Sequence, residues 1–268
     1  MHTYAQTNVQ LFNQLRRDGY SNNELSCIRN AYEHAKRLFT GLFLASGRTQ
    51  IAHVVGTASI LGSVHLPTEV VAAGLIHNAY GTGDFGGWKK GISQARRKHV
   101  MYAVGKNVEE YVYGFQAFRR NSQTIPVIRN KLNALDPINR NVLLIFLADQ
   151  LEHHQDLGGL YYHGGIEICQ EFIDRNGHIM VEIAENLGFP TLAAELARVF
   201  RETVLAKIPV ELLSEISRTR SLVIPPKSYR RRLSVAFYQE IISGLHYFRC
   251  KINRRLHSLR SALGVKKN

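Results

Sequence analysis

An all-α fold is what the sequence predicts, on three observations. Apolar residues recur every three or four positions through most of the chain. Alternation with a period of two is almost absent. Helix-starting signals stand where that periodicity begins. Residues 7–20 read as a first helix, with Leu11, Phe12 and Leu15 apolar and Gly19 near its end. Ser21 caps the next, with Glu24 at capping-box spacing, and that helix runs to about Phe39. Residues 41–47 read as a loop. A third helix carries Ile51, Val54, Val55, Ala58 and Leu61. Pro67, in the first turn of a fourth, precedes Val70, Val71, Gly74, Leu75 and Ile76, and the helix ends near His77. Gly81, Gly83, Gly86 and Gly87 mark a flexible loop. Further helices are expected around 91–118, 137–155, 164–187, 190–205 and 209–217, and no internal repeat is evident.

Composition bounds the class. A chain of 268 residues that is 45% hydrophobic and 21% charged, with mean hydropathy −0.16, has ample material for a core and is neither disordered nor collagen-like. Cys27, Cys169 and Cys250 are scattered without a CxxC pair, which argues against a disulfide framework or a cysteine zinc site. The first twenty residues hold no uninterrupted apolar stretch of the kind a signal peptide needs. The longest apolar run, Val142 to Ala148, is too short to span a bilayer. The expected location is the cytoplasm.

The net charge of +13 is concentrated at one end. Residues 218–268 hold thirteen Lys and Arg against one acid, Glu240, so this segment carries +12 and the other 217 residues carry +1. Pro225-Pro226 breaks the helical pattern, and Lys227-Ser228-Tyr229-Arg230-Arg231-Arg232 follows. Leu233, Phe237, Ile241 and Leu245 then recur every four residues. The reading is a helical domain over 1–217 and a basic amphipathic helical extension over 218–268. Residues 227–267 of that extension read either as a solvated basic face or as a contact for an anionic surface, membrane or RNA. No RNP motif or zinc-finger spacing points to sequence-specific nucleic-acid reading, and no feature sets an oligomeric state.

Four places carry chemistry. His53 lies on an apolar helix, and His77-Asn78 sits at a helix end. Asp149 follows seven apolar residues, and His153 is four positions on, so the two share a helix face. A mid-helix carboxylate in that setting is costly to bury unless it is paired or ligates a metal. Imidazole and carboxylate together suit Mn, Fe or Zn, and an ion so held turns bound water into a nucleophile near neutral pH. His34, His65, His99, His163, His178, His246 and His257 read as satisfied core residues.

The stretch Ala31-Tyr32-x-x-Ala35-x5-Gly41-x4-Ser46-Gly47-x5-His53 resembles the opening of the RelA/SpoT-type HD hydrolase domain, a family that also includes the metazoan SpoT homologue. The resemblance continues through Val70 to His77, which is similar to the helix ending in His-Asp. It continues through Leu147-Ala148-Asp149-Gln150-Leu151, similar to Leu-Ala-Asp-Arg-Leu, and Ile183-Ala184-Glu185-Asn186-Leu187-Gly188, similar to Leu-Ala-His-Arg-Leu-Gly. It covers about residues 25–205 and excludes the basic segment. The resemblance implies an α-helical HD bundle that removes pyrophosphate from guanosine alarmones with a divalent metal, usually manganese. By the same resemblance His53, His77, Asn78 and Asp149 take the ligand positions, and His153 falls where the family has an Asn beside the substrate.

This sequence departs from that pattern at several points. The Asp of His-Asp is Asn78, a neutral and weaker ligand. The Glu-Asp pair tied to water activation is replaced by Gly81-Thr82, and the Arg that stacks on guanine is Leu44. A second resemblance, of His77-x-x-Tyr80-Gly81-Thr82-x-x-Phe85 to a divergent HD-like subgroup of uncharacterised function, makes Tyr80 and Thr82 a replacement set on the substrate side. The leading expectation is a metal-dependent phosphohydrolase acting on a small phosphorylated molecule, with alarmone hydrolysis weak or absent. In it His53, His77, Asn78 and Asp149 hold the ion, Asp84 or His153 is the general base, and Arg48, Lys89 and Lys90 meet phosphate. The alternatives are a degenerate HD protein that binds a ligand or partner without turnover, and an iron-dependent HD-type oxygenase.

Overall fold

The computed structural model describes residues 4–44, 46–86, 90–118, 123–161, 164–213 and 223–224. They belong to one compact unit drawn from residues 1–86 and 90–226. The other unit, residues 87–89 with 227–268, lies outside the described residues, as does the amphipathic extension expected from the sequence, Val223–Ile224 excepted.

The fold is all-α. Helices α1 (Asn8–Arg17) and α2 (Asn22–Phe39) open the chain, each on a complete capping box: Thr7 with Gln10, and Ser21 with Glu24. Helix α3 (Gln50–Ser63) starts behind Thr49, whose side chain accepts from the Ala52 amide. Helix α4 (Thr68–Ile76) follows Pro67, and the one-turn α5 (Ala79–Thr82) comes two residues after α4 ends. Helices α6 (Gln94–Val104), α7 (Lys106–Ala117) and α8 (Thr124–Asn130) lead to α9 (Pro137–Gln155). Asp136 caps α9 by accepting from the Asn139 amide at 2.8 Å, with Pro137 in the first turn. Helices α10 (Gly165–Asn186) and α11 (Pro190–Leu205) form the most extensive helix pair among the described residues.

Three expectations needed correction. The helix expected over 91–118 is two, because Gly105 takes φ 89°, a left-handed conformation that stops α6 and starts α7. Residues 41–47 are not only loop: β1 (Phe43–Leu44) pairs antiparallel with β2 (Val223–Ile224), Phe43 opposite Ile224. Of the helix expected over 209–217, residues Val210–Leu212 form a single 3-10 turn and the remainder after 213 lies outside the described residues.

The centre of the bundle is built from α3, α4 and α9. All three are apolar on most of their circumference, the pattern of helices enclosed by others. Helix α4 comes close to α3 at Gly74, where a Cβ would stand 2.5 Å from Leu61 Cδ1 and 3.4 Å from Ala58 Cα. That bare position lets the two backbones approach and brings the end of α4, with His77, beside His53 of α3. Among the described residues no helix is long and apolar enough to cross a membrane.

Candidate metal centre

His53, His77 and Asp149 come from three different helical elements and meet in the interior. Each imidazole is fully buried, and Asp149 is 5% exposed. His53 Nε2 lies 3.2 Å and His77 Nε2 3.1 Å from the same oxygen, Asp149 Oδ1. The His77 ring also packs edge-to-face on Phe115, at 4.7 Å between centroids.

The far side of each ring decides what its near side offers. His77 Nδ1 is 2.7 Å from the Gly74 carbonyl, which can only accept, so Nδ1 carries the hydrogen. His53 Nδ1 contacts the Glu152 carboxylate, again an acceptor. In the neutral ring Nε2 then presents a lone pair, and in both cases it is aimed at Asp149 Oδ1. Burial drives the His53 pKa down to about 3, so this ring is neutral at pH 7. Burial acts to raise the Asp149 carboxyl, but the surrounding His53, His77 and His153 rings outweigh it and hold it well below the usual carboxylate range. Two ring nitrogens and an anionic oxygen thus converge on one point.

That arrangement fits a cation. Bonds of about 2.1 Å from nitrogen and oxygen to a divalent ion set ligand–ligand edges of about 3.0 Å in octahedral and about 3.4 Å in tetrahedral geometry. The 3.1 and 3.2 Å separations fall in that range. All three ligand atoms lie within 4.8 Å of one another.

Asn78, at the junction of α4 and α5, is the fourth residue at this point. Its Nδ2 donates to His77 Nε2 at 2.8 Å and approaches His53 Nε2 at 3.4 Å. In this orientation the amide satisfies the lone pairs in place of an ion. Rotated by half a turn, it turns its oxygen to the same place as a neutral ligand.

The other residues singled out by the sequence fall in different places. His153 is near: its Nε2 is 3.8 Å from Asp149 Oδ1, its ring lies 4.7 Å from that of His53, and its side chain is 38% exposed. Burial lowers its pKa against the opposing pull of Asp149, which favours the neutral, proton-accepting ring. Asp84 is not among the clustered ligand atoms; its Oδ1 accepts from the Gly86 amide in the loop beyond α5. Thr82 donates to the Asn78 carbonyl at 3.1 Å, and Lys90 Nζ donates to the Thr82 carbonyl at 3.0 Å. Lys89 lies outside the described residues.

Two more of the residues singled out by the sequence have partners within the fold. Arg48, expected to meet phosphate, has its guanidinium paired with Glu152 and, at 3.1 Å, with Asp156, and its side chain is 15% exposed. Tyr80, expected on the substrate side, is buried, and its hydroxyl donates to Glu109 at 2.7 Å. Glu109, itself fully buried, also takes two hydrogen bonds of 2.7 Å from Arg97, and this group ties α5, α6 and α7 together behind the His77–Asn78 junction.

The residue that sequence reasoning missed is Glu152. It is three positions after Asp149, hence on the same helix face, and that spacing was the available signal. His53, Glu152 and His153 also offer atoms within 4.8 Å of one another. There, however, one carboxylate oxygen of Glu152 meets the His53 Nδ1–H and the other the Arg48 cation, so a second ion would face a positive charge.

The chain is similar to several known proteins. Residues 37–120 match a family described as a domain of unknown function (DUF6817). Over 208 residues the chain is 27% identical to the bifunctional (p)ppGpp synthase/hydrolase SpoT of Escherichia coli (strain K12), covering 72% of this chain and 28% of that protein. Guanosine-3′,5′-bis(diphosphate) 3′-pyrophosphohydrolase of Shigella flexneri matches with the same identity and coverage. The chain therefore spans little more than a quarter of the length of these relatives. A solved structure titled as a metazoan orthologue of SpoT that hydrolyses ppGpp aligns at 18% identity and TM-score 0.43, over 70% of this chain and 98% of that one. The four quoted motifs and the sequence match point the same way: the chain resembles the RelA/SpoT-type (p)ppGpp hydrolases.

Proposed function

We propose that the protein is a metal-dependent HD-type phosphohydrolase acting on a small phosphorylated substrate of the nucleotide class. The observation that carries this reading is the convergence of His53 Nε2, His77 Nε2 and Asp149 Oδ1 with both imidazole hydrogens directed away from the meeting point. His53, His77 and Asp149 would hold a divalent ion, manganese by resemblance and iron or zinc by ligand chemistry, with Asn78 as a neutral fourth ligand through Oδ1. A bound ion of this kind would polarise a phosphoryl oxygen and lower the pKa of its water.

The chain's own residues supply the rest. Gly74 and Glu152 hold the hydrogens of the two imidazoles on Nδ1. His153, neutral and partly open to solvent, accepts a proton beside Asp149. Lys90, held by the Thr82 carbonyl one turn past Asn78, is the cation proposed to meet phosphate. Leu44 in place of a guanine-stacking Arg makes the classical alarmone a poor substrate. The basic segment 227–267 adds a polyanion contact whose partner is an anionic membrane surface or RNA.

One observation favours a second reading. Asn78 in its present orientation donates into the ligand lone pairs, as expected of an HD protein that binds a ligand without turnover.

The test is phosphate release from a panel of nucleotides, guanosine tetraphosphate included, with manganese, iron or zinc supplied. The expected result is ion-dependent release from a nucleotide other than the alarmone, lost in His77→Ala and in Asp149→Asn. Tight nucleotide binding with no release under any ion would overturn the hydrolase in favour of the second reading.

A further inference from the structure

We infer that Glu152, braced by Arg48, is a positioning residue that fixes the tautomer of His53 and thereby keeps a ligand position open at the metal centre; this rests on the metal-centre reading above. Glu152 is 1% exposed, and a carboxylate so deeply buried is costly unless both oxygens are satisfied. Here one meets His53 Nδ1 and the other Arg48 Nη2. Arg48 is fixed in turn by Asp156 and by the Gln6 side-chain oxygen, 3.1 and 2.5 Å away.

The backbone of α3 makes room for this group. A Cβ on Gly56 would stand 2.6 Å from Glu152 Oε1 and 2.8 Å from its Cγ. Gly56 is one turn after His53, on the same face, so its bare surface is what allows Glu152 to reach over the helix to the imidazole.

The chemical consequence follows from the two possible neutral tautomers. With the hydrogen on Nδ1, held by Glu152, Nε2 offers a lone pair to an ion. With the hydrogen on Nε2, the ring would donate to Asp149 Oδ1 at 3.2 Å and fill the ligand position with a proton. Glu152 selects the first by giving the Nδ1 hydrogen an acceptor, as outer partners of metal-bound histidines do. It acts through His53 and touches neither ion nor substrate.

The test uses the full-length protein in two measurements. In metal-free protein with ¹⁵N-labelled histidine at pH 7, long-range ¹H–¹⁵N correlation should show His53, assigned by its loss in His53→Gln, protonated on Nδ1. Protonation on Nε2 would overturn the inference whether or not the protein binds metal. Titration with Mn²⁺ and Zn²⁺ should then give affinities about 10- to 100-fold weaker in Glu152→Gln and in Gly56→Ala than in wild type. Gly56→Ala displaces Glu152 without altering a polar group, which keeps the test open should Glu152→Gln fold poorly. Wild-type affinity in a folded variant would overturn the inference and leave the metal centre standing. No ion bound by wild type, with Nδ1 protonated, would sink the metal-centre reading and leave the tautomer assignment standing.

Discussion

Asn78 and His34 show how a single side chain sets the behaviour of its surroundings. Asn78 is the one amide in the ligand group, and in place of a carboxylate it brings a side chain that can either donate to the imidazoles or ligate. Restoring the charge by Asn78→Asp removes the donor and adds an anion at ligand distance. Divalent-ion affinity by calorimetry should rise by about one to two orders of magnitude, given an attraction of about 1–4 kcal/mol for a unit charge near 4 Å. His34 differs: it is 2% exposed on α2, lies tilted against His99 with centroids 5.3 Å apart, and has no hydrogen-bond partner for either ring nitrogen among the described residues. Burial, followed by His99 and Arg37, lowers its pKa to about 4. The unfolded chain therefore takes up a proton on this ring near pH 6.5 that the folded chain refuses until about pH 4, so stability falls as pH drops through that window. Urea midpoints measured from pH 7 to pH 4 should fall less steeply in His34→Leu than in wild type, and His34→Leu should be the more stable protein at pH 4.5.

At the level of elements, α9 carries the most: Asp149, Glu152 and His153 all stand on it, and its first turn is pinned by Asp136. Asp136→Ala removes the cap and should cost about 1 kcal/mol, seen as a melting temperature lower by about 2–4 °C with ion affinity unchanged. The Glu109 group is a harsher case, because a buried carboxylate there receives Tyr80 and Arg97 at once. Glu109→Ala strands a buried hydroxyl and a guanidinium and should cost about 3 kcal/mol or more in chemical denaturation.

These helices differ in how far the sequence announces them. The span of α9 from Pro137 to Gln155 and that of α11 from Pro190 to Leu205 were readable in full, since a proline opens each and apolar periodicity runs unbroken behind it. The break at Gly105 was not, because apolar periodicity continues across it and only the positive φ reveals the turn. Nor was the pairing of β1 with β2, two residues on each side and far apart in sequence. The ligand histidines were legible as imidazoles on apolar helices. The fates of Arg48 and Tyr80 were not, because both turn on partners 104 and 29 residues away that only packing supplies.

For the whole molecule, the uneven charge is the property to test. A nearly neutral body and a segment of +10 beyond Pro226 predict two separable activities, one of the buried centre and one of the basic chain. A chain ending at Ile224 should keep its helical circular dichroism and its ion affinity while losing retention on anionic vesicles or RNA. In the full chain that retention should weaken steeply with salt. Retention that survives truncation, or that ignores salt, would remove the electrostatic role.

The account as a whole stands on two imidazoles and one carboxylate sharing an ion. Its most direct test is elemental analysis of full-length protein purified without chelator and equilibrated with Mn²⁺, Fe²⁺ or Zn²⁺, beside His77→Ala treated alike. The account predicts one ion per chain in wild type and none in the folded variant. A folded wild type that retains no ion, or a variant that retains as much as wild type, would contradict it.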